Sequence, residues 1–386
     1  MIVYLDNNAT SPLVPEVLDA MLPFYKDKFG NASSAYSLGR DAKKALEESR
    51  ETIAHILGAS DKECICFTGS GTEADNMALM GVACAFKQKG KHIVTSEVEH
   101  HAILHTGNYL EENGFKVTKV KPDESGLVRA ESVAEALRKD TILVSIMHAN
   151  NEVGTINPIA EISKIVKARG ILFHTDAVQS FCKVPLTVDA LGVDLLSISA
   201  HKIHGPKGVG ALYIRDGVRL KPLIYGGHQE ADRRAGTENM AGIVGLAKAA
   251  QLASANIESV TRKMKLLRDK LEKGLLQKIE HTKLNGHPVL RLPNTLNLSF
   301  PFIEAESLIL DLDLKGVAVS SGSACQSESA DPSHVLLSMG ISNQICRGSL
   351  RFSVGSQNTE EDIDYVLSIL PAIVERIRSM SPLAPV

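Results

Sequence analysis

Short apolar runs alternate with helical patterns through the first two thirds of the chain. Six runs rich in β-branched residues predict strands: ECICF, HIVTS, FKVTKV, TILVSIM, ILFHT and DLLSIS. Strands that alternate with helices are typical of an α/β fold with a mostly parallel sheet. We therefore expect a large domain over residues 15–260 that is built on such a sheet.

The pattern changes at Asn256, where a long charged segment begins. Its apolar residues are spaced three or four apart, which predicts a single amphipathic helix. The stripe consists of Ile257, Val260, Met264, Leu267, Leu271, Leu275 and Ile279. Beyond it come the apolar stretch VLRLPNTLNLSF, a helix over 307–314, the strands GVAVS and SLRFSV, and a closing helix after Thr359. We expect residues 1–14 and 261–386 to form a smaller α+β domain.

The composition narrows the class of protein. The chain has 386 residues, 44% of them apolar and 23% charged, and a net charge of -3, which is typical of a soluble globular protein. Neither nucleic acid nor a membrane surface is indicated as a partner. We find no basic leader before an apolar run and no uninterrupted apolar run of about 18 residues, so we expect a cytoplasmic location. The six cysteines are unevenly spread and do not form a disulfide framework.

A glycine-rich turn is the first candidate for chemistry. In CFTGSGTEADN a predicted strand runs into glycines and then into a helix, whose free N–H groups suit a phosphate. The same letters loosely match the dinucleotide fingerprint as Gly69-x-Gly71-x-x-Ala74, with Glu97 placed as a ribose ligand. A glycine turn without any ligand fits equally well. The motif alone leaves all three interpretations open.

Two polar segments follow predicted strands. FHTDAVQS places Asp176 after one strand, and SISAHKIHGPKG places Ser199, His201 and Lys202 after another. Side chains beyond the carboxyl ends of strands line the ligand crevice of an open α/β sheet, so we expect these residues and the glycine turn to face one pocket. A lysine there is a candidate Schiff-base amine, and a nearby acid can keep a pyridine nitrogen protonated. The alternative for Lys202 is a solvated surface lysine.

Ten segments together point to a known family: YLDNNATSP, FGNASS, GSGTEADN, EHHA, HANNEVGTINPI, HTDAVQ, SAHKIHGPKGVGALY, RRAGTEN, SSGSAC and LRFSVG. With these segments the sequence resembles the cysteine desulfurases of the NifS/IscS type, which are pyridoxal-phosphate enzymes. The resemblance extends over nearly the whole chain. It implies fold type I, the aspartate-aminotransferase fold, with a mostly parallel seven-stranded sheet and a smaller α+β lobe.

The resemblance also implies a cofactor site. Lys202 would bind pyridoxal 5'-phosphate through its amine, Asp176 would pair with the pyridine nitrogen, and Gln179 would contact the phenolic oxygen. His100 would stack on the ring. The phosphate ligands would be Gly71, Thr72, Ser199, His201 and, from the second subunit of a homodimer, Thr237.

The substrate site follows from the same resemblance. Asn151 and Arg351 would receive the carboxylate of L-cysteine, and a planar guanidinium binds a carboxylate through two parallel hydrogen bonds. Arg347 remains an alternative for this role. Cys325 lies in SSGSACQSESA, among small and polar residues, whereas a structural cysteine usually lies in a core. We therefore expect a mobile loop that carries the nucleophile.

The implied reaction converts L-cysteine to L-alanine and keeps the sulfur as a persulfide on Cys325. Lys202 would take the Cα proton, and His100 would relay the thiol proton. An iron–sulfur scaffold protein or another acceptor would receive the sulfur, and the short C-terminus favours the nitrogenase type. No resident metal is implied beyond transient ligation of a cluster iron by Cys325. The pair His101 and His105 lacks the glutamate that a zinc hydrolase needs.

Other functions remain as alternatives. A selenocysteine lyase or an aminotransferase shares the fold, and an aminotransferase would not require Cys325. A nicotinamide-dependent dehydrogenase would not require Lys202, and an inactive cofactor-binding partner protein would be expected to have lost one of the two residues.

The chain also departs from the family pattern. Ala32 and Tyr36 stand in the places of a proline and a histidine, and Ala231 and Asp232 stand where relatives often have Arg-Gly.

Overall fold

The computed structural model describes residues 2–321 and 332–381. Its strands are β1 (Val3–Tyr4), β2 (Ile65–Thr68), β3 (His92–Ser96), β4 (Lys116–Val120), β5 (Thr141–Ser145), β6 (Leu172–Asp176), β7 (Leu195–Ser199), β8 (Gly210–Ile214), β9 (Lys283–Asn285), β10 (Thr295–Ser299), β11 (Val317–Ala318) and β12 (Ser349–Ser353). Its α-helices are α1 (Pro15–Met21), α2 (Pro23–Lys26), α3 (Ser37–Leu57), α4 (Gly71–Phe86), α5 (His101–Glu112), α6 (Ala130–Ala136), α7 (Ile159–Lys167), α8 (Val188–Leu191), α9 (Met240–Ala255), α10 (Ile257–Lys278), α11 (Ala305–Leu314), α12 (His334–Ser338), α13 (Asn343–Arg347) and α14 (Glu360–Met380).

Seven strands form the central sheet in the order β2-β8-β7-β6-β5-β3-β4. Strands β4, β3, β5, β6 and β7 pair in parallel, and β8 pairs antiparallel with both β7 and β2. The predicted α/β fold with a mostly parallel seven-stranded sheet is confirmed. All six predicted strands occur in this sheet, and β8 is the seventh.

Strand β2 leads into the glycine turn and lies at the edge of the sheet, with the antiparallel β8 as its neighbour. The dinucleotide fingerprint instead belongs to a parallel βαβ unit whose first strand lies in the middle of the sheet. The position of β2 therefore contradicts the dehydrogenase interpretation of Gly69-x-Gly71-x-x-Ala74.

A second sheet lies in the smaller lobe, where β10 pairs antiparallel with both β12 and β9. One hydrophobic cluster joins Val3 and Leu5 to apolar residues of the segment 264–377. The predicted helix after Asn256 is α10, and five residues of its stripe are buried: Met264, Leu267, Leu271, Leu275 and Ile279. The core of the large sheet, however, also contains Val335, Leu336 and Cys346. The division into 15–260 and 1–14 with 261–386 stays a prediction.

The first residues of the chain join distant parts of the fold. β1 pairs in parallel with β11. The side-chain amide of Asn7 donates to the Ser353 carbonyl at 2.9 Å, and that of Asn8 donates to Thr295 Oγ1 at 2.9 Å. The backbone N–H of Asn8 donates to Ser353 Oγ at 2.9 Å. Asn8 is thereby fixed from both β10 and β12.

In the two described ranges, every helix is too short or too polar to cross a membrane.

Candidate active site

A cavity of about 290 Å³ lies beyond the carboxyl ends of β6 and β7. It is lined by ten of the twelve residues predicted for the site: Gly71, Thr72, His100, Asn151, Asp176, Gln179, Ser199, His201, Lys202 and Arg351. Cys325 lies outside the described residues. Thr237 does not line this cavity, and it lies in a separate exposed depression together with Gly69 and Arg234.

The N-terminus of α4 closes one end of the cavity. Ser70 caps this helix by accepting a hydrogen bond from the Glu73 N–H at 3.0 Å. A Cβ on Gly71 would lie 2.8 Å from Val178 Cγ2 and 3.3 Å from Ser199 Cβ, so only glycine fits there. The first N–H groups of a helix lack partners within it and carry partial positive charge. This end of the cavity is therefore suited to a phosphate.

Two buried acidic side chains, Asp75 and Asp176, line the cavity. Asp176 ends β6 and accepts a hydrogen bond from the Val178 N–H at 2.8 Å. Burial raises the pKa of Asp176 to about 6, against the opposing effects of that N–H and of Lys202. Burial and the charge of Asp176 raise the pKa of Asp75, on α4, well above its usual value. With a pKa of about 6, Asp176 is mostly ionised at neutral pH.

Lys202 follows β7 and is held by the amino-terminal segment. Its Nζ donates to the carbonyl oxygen of Asn8 at 2.6 Å and to that of Ala9 at 2.7 Å. The motif YLDNNATSP had marked this segment only as a point of resemblance, without a chemical role. The two carbonyl groups hold the lysine amine at the wall of the cavity.

His100 is the N-cap residue of α5. Its Nδ1 accepts a hydrogen bond from the Ala102 N–H at 3.1 Å, which leaves the proton of a neutral ring on Nε2. Burial and the positive charge of Lys202 lower the pKa of His100 to about 4. The ring is therefore neutral at pH 7 and presents an N–H donor. To accept a thiol proton, as we expected from the sequence, His100 would have to release Ala102.

Arg351 lies on β12 and is 2% exposed. Its Nη1 donates to the carbonyl oxygen of Asn151 at 3.1 Å, and its Nη2 donates to Asp6 Oδ1 at 2.8 Å. The structure thus brings Asn151 and Arg351 together at the cavity. The alternative Arg347 has a half-exposed side chain that donates to Asn343 Oδ1 at 3.0 Å and does not line the cavity. Between the two arginines, only Arg351 lines the cavity.

The remaining predicted features lie on the surface or beside the cavity. Tyr36 is 60% exposed, precedes α3 and does not line the cavity. Ala231 and Asp232 have φ angles of 53° and 63°, in the left-handed region that favours glycine. His101 lines the cavity but, among the described residues, no three ligating side chains form a group that could hold a metal ion.

The cavity offers complementary groups for pyridoxal phosphate. The N-terminus of α4 suits its phosphate, the carboxylate of Asp176 suits a protonated pyridine nitrogen, and the amine of Lys202 suits its aldehyde. The residues present therefore fit this cofactor.

Comparison with known proteins agrees with this geometry. The model of the aminotransferase class-V family matches residues 3–366. A protein of Methanosarcina thermophila named cysteine desulfurase IscS is 54% identical over 383 residues, which cover 99% of this chain and 94% of that protein. A solved NifS-like protein is 42% identical with a TM-score of 0.92, over 97% of this chain and 100% of that one.

A further solved structure, described as SspA in complex with cysteine, is 36% identical with a TM-score of 0.81 and covers 92% of this chain and 99% of that one. Family, relatives and fold agree over almost the full length. The chain belongs to the aminotransferase class-V family and, within it, to the cysteine desulfurases.

Proposed function

We propose that this protein converts L-cysteine to L-alanine with pyridoxal 5'-phosphate as its cofactor and holds the sulfur as a persulfide on Cys325. The observation that carries the proposal is the convergence of Asp176, Lys202 and the N-terminus of α4 on one cavity that also contains Arg351. A cavity with those four groups suits an amino acid bound against a phosphorylated pyridine cofactor.

Each cofactor ligand has a distinct task. The bound cofactor withdraws electrons from the Cα of an amino acid. Asp176, ionised at neutral pH, keeps the pyridine nitrogen protonated, and Lys202 supplies the amine that holds the aldehyde and later takes the Cα proton. Gln179 would contact the phenolic oxygen of the cofactor, and the His100 ring would stack on its ring. The phosphate ligands are Gly71, Thr72, Ser199 and His201, joined by Thr237 of a second subunit.

Arg351 and Asn151 receive the substrate carboxylate. The guanidinium is held in place by Asp6 and by the carbonyl oxygen of Asn151, so little ordering entropy remains to be lost on binding. A carboxylate on Arg351 forms charge-assisted hydrogen bonds, which are the stronger kind. This selects amino acids with a free carboxylate.

The flanks of the segment 322–331 support Cys325 as the nucleophile. Before it, Ser320 exchanges two backbone hydrogen bonds with Arg351, at 2.7 and 3.3 Å. After it, His334 lines the cavity. The described residues on both sides of the segment that carries Cys325 therefore lie beside the cavity. The thiolate of Cys325 would then attack the substrate sulfur, so that an S–S bond forms as the Cβ–S bond breaks. The electron pair of the broken bond would stay with the three-carbon fragment, which takes up a proton at Cβ and leaves as alanine.

The acceptor and the cellular setting complete the proposal. The sulfur passes from Cys325 to an iron–sulfur scaffold protein or another acceptor. In this proposal the enzyme acts as a homodimer, in which Thr237, exposed and outside the lining of its own cavity, would serve the site of the second subunit. The five described cysteines are free thiols, which agrees with a reducing compartment such as the cytoplasm.

The test is to add L-cysteine to the purified protein while recording its visible absorbance and the release of alanine. We expect a visible cofactor band in the wild type, its loss in Lys202→Ala, and alanine in excess over enzyme. L-selenocysteine and amino acids with a 2-oxo acid acceptor should react more slowly. A protein that formed alanine only from L-selenocysteine, or that transferred amino groups, would contradict the proposal.

A further inference from the structure

A second buried lysine lies behind the cavity wall. Lys183, in the turn after β6, is 6% exposed, which is rare for lysine. Its Nζ donates to Oε1 of Gln179 at 3.1 Å, the partner that the described part of the chain provides for this amine. Lys183 is not among the described residues that line the cavity, whereas Gln179 is. Any influence of Lys183 on the cavity therefore passes through Gln179 or through its charge.

The contacts of Gln179 allow one orientation of its amide. Its Nε2 donates to the carbonyl oxygen of Asn8 at 3.0 Å. A carbonyl oxygen can only accept, so the NH₂ group must lie on the side of Asn8 and Oε1 on the side of Lys183. Gln179 is 5% exposed, and a buried acceptor without a donor is costly. Lys183 provides that donor.

Lys183 keeps this contact around neutral pH. Burial and the positive charges of Lys202 and Arg351 lower the pKa of Lys183 to about 7. Both the ammonium and the neutral amine carry N–H groups. Oε1 of Gln179 therefore has a donor in either form.

We propose that Lys183 is a positioning residue that holds the Gln179 amide with its NH₂ group toward the cofactor cavity. This rests on the proposed function, in which Gln179 contacts the phenolic oxygen of the cofactor. The NH₂ group has two hydrogens and Asn8 takes one, so the other is left for an acceptor in the cavity. With the amide turned over, Oε1 would meet the phenolic oxygen, and two acceptors would repel each other.

The test is a pH titration of the visible absorbance of the holoenzyme. A donor on the phenolic oxygen stabilises its anion and lowers the pKa of the chromophore. In Lys183→Met we expect the band to remain and its apparent pKa to rise by about one unit, the size of one hydrogen bond. The control is Lys207→Met, which changes an exposed lysine near the same site and should leave the pKa unchanged.

A double variant separates hydrogen bonding from charge. Gln179→Leu should raise the apparent pKa as Lys183→Met does, and the two together should raise it no further than Gln179→Leu alone. Lys183→Gln keeps an N–H donor but has no charge, and it serves as a second variant in case Lys183→Met misfolds. The apparent pKa of its chromophore should stay close to the wild-type value. If Lys183→Met raised the apparent pKa of the chromophore as much in the Gln179→Leu background as in the wild type, the effect would come from charge. That result would overturn the inference.

The result also separates this inference from the proposed function. A normal cofactor band whose pKa is the same in Lys183→Met and wild type would overturn the role of Lys183 alone. A purified protein without any band of bound pyridoxal phosphate would overturn the proposed function and this inference together.

Discussion

Arg351 and Asp6 form an ion pair at the edge of the cavity, with Nη2 2.8 Å from Oδ1. The two residues are 345 positions apart, on β12 and just after β1. The pair turns the guanidinium toward the cavity that Arg351 lines. Under the proposed function, a substrate carboxylate would meet an arginine whose orientation is already set.

Substrate binding should depend on Arg351 rather than on Arg347. Charge-assisted hydrogen bonds contribute about 1.5–3 kcal/mol, so Arg351→Gln should raise KM for L-cysteine about 10- to 150-fold. Arg347→Gln, at a half-exposed position, should change it less than about 3-fold. Steady-state kinetics with a spectral check of cofactor content measure both. The opposite ranking would assign the carboxylate to Arg347.

The persulfide should form on Cys325. After a pulse of L-cysteine, mass spectrometry should find the added sulfur on the peptide that carries Cys325, and Cys325→Ser should form none while retaining the cofactor band. Burial raises the pKa of Cys182 to about 12 and that of Cys346 to about 11, so these thiols are protonated and poor nucleophiles. Sulfur on either of them would refute the assignment.

Cofactor affinity should fall on acidification through the pKa of Asp176. With that pKa raised to about 6, the side chain is ionised at pH 7.5 and becomes neutral below pH 6, where its ion pair with a protonated pyridine is lost. Fluorescence titration of cofactor-free protein measures the affinity. The Asp176→Asn protein should bind the cofactor about 10- to 150-fold more weakly at pH 7.5. Its cofactor affinity should also lack the part of the pH dependence that comes from Asp176. The cofactor phosphate titrates near the same pH, so its own pH dependence is expected in both proteins. If the pH profiles of cofactor affinity were identical in the wild type and in Asp176→Asn, Asp176 would not be the cause of the fall.

Mixed dimers test whether Thr237 serves the site of the other subunit. A heterodimer of Lys202→Ala and Thr237→Ala subunits would contain one site with both changes and one with neither. At limiting cofactor, mixing should restore up to about a quarter of the wild-type activity, because half of the dimers are mixed. If Thr237 serves the site of its own chain, the activity of the mixture should equal the mean of the activities of the Lys202→Ala and Thr237→Ala proteins.

The loop before Thr237 should be stabilised by glycine. Ala231 has a φ of 53°, and an alanine in the left-handed region costs about 1 kcal/mol, so Ala231→Gly should raise the free energy of unfolding by about that amount. Ala45→Gly, inside α3, should lower it by about 1 kcal/mol. Urea unfolding measures both. A loss of stability in Ala231→Gly would show that its φ carries no strain.

The sequence predicted the α/β framework because strand composition and helix spacing are local properties. Strand β8 was not predicted from the sequence, because GVGALY has little strand character. A Cβ on Gly210 would lie 2.7 Å from both the Ile198 carbonyl oxygen and the Ser70 carbonyl carbon, which explains why a glycine begins this strand. The reason for this residue lies in two other segments, so no local pattern reveals it.

The site residues could be predicted by type, but their partners could not. The spacing of FHTDAVQS and SAHKIHGPKG predicted Asp176 and Lys202 at one pocket, and both line the cavity. The Lys202 amine, however, donates to a carbonyl oxygen 194 positions earlier in the chain. For His100, the helix start at Ala102 occupies Nδ1, a consequence of where α5 begins rather than of the residue type.

The attachment of Asn8 to β10 and β12 bears on the order in which the protein is made. Asn8 holds Lys202 and Gln179 through its carbonyl oxygen, yet Asn8 is itself fixed by Thr295 and Ser353. Because Ser353 follows Asn8 by 345 residues, Asn8 leaves the ribosome long before Ser353 does. The wall behind the lysine is therefore complete only after residue 353 has emerged, and a cofactor bound as proposed would find its full site only from that point on.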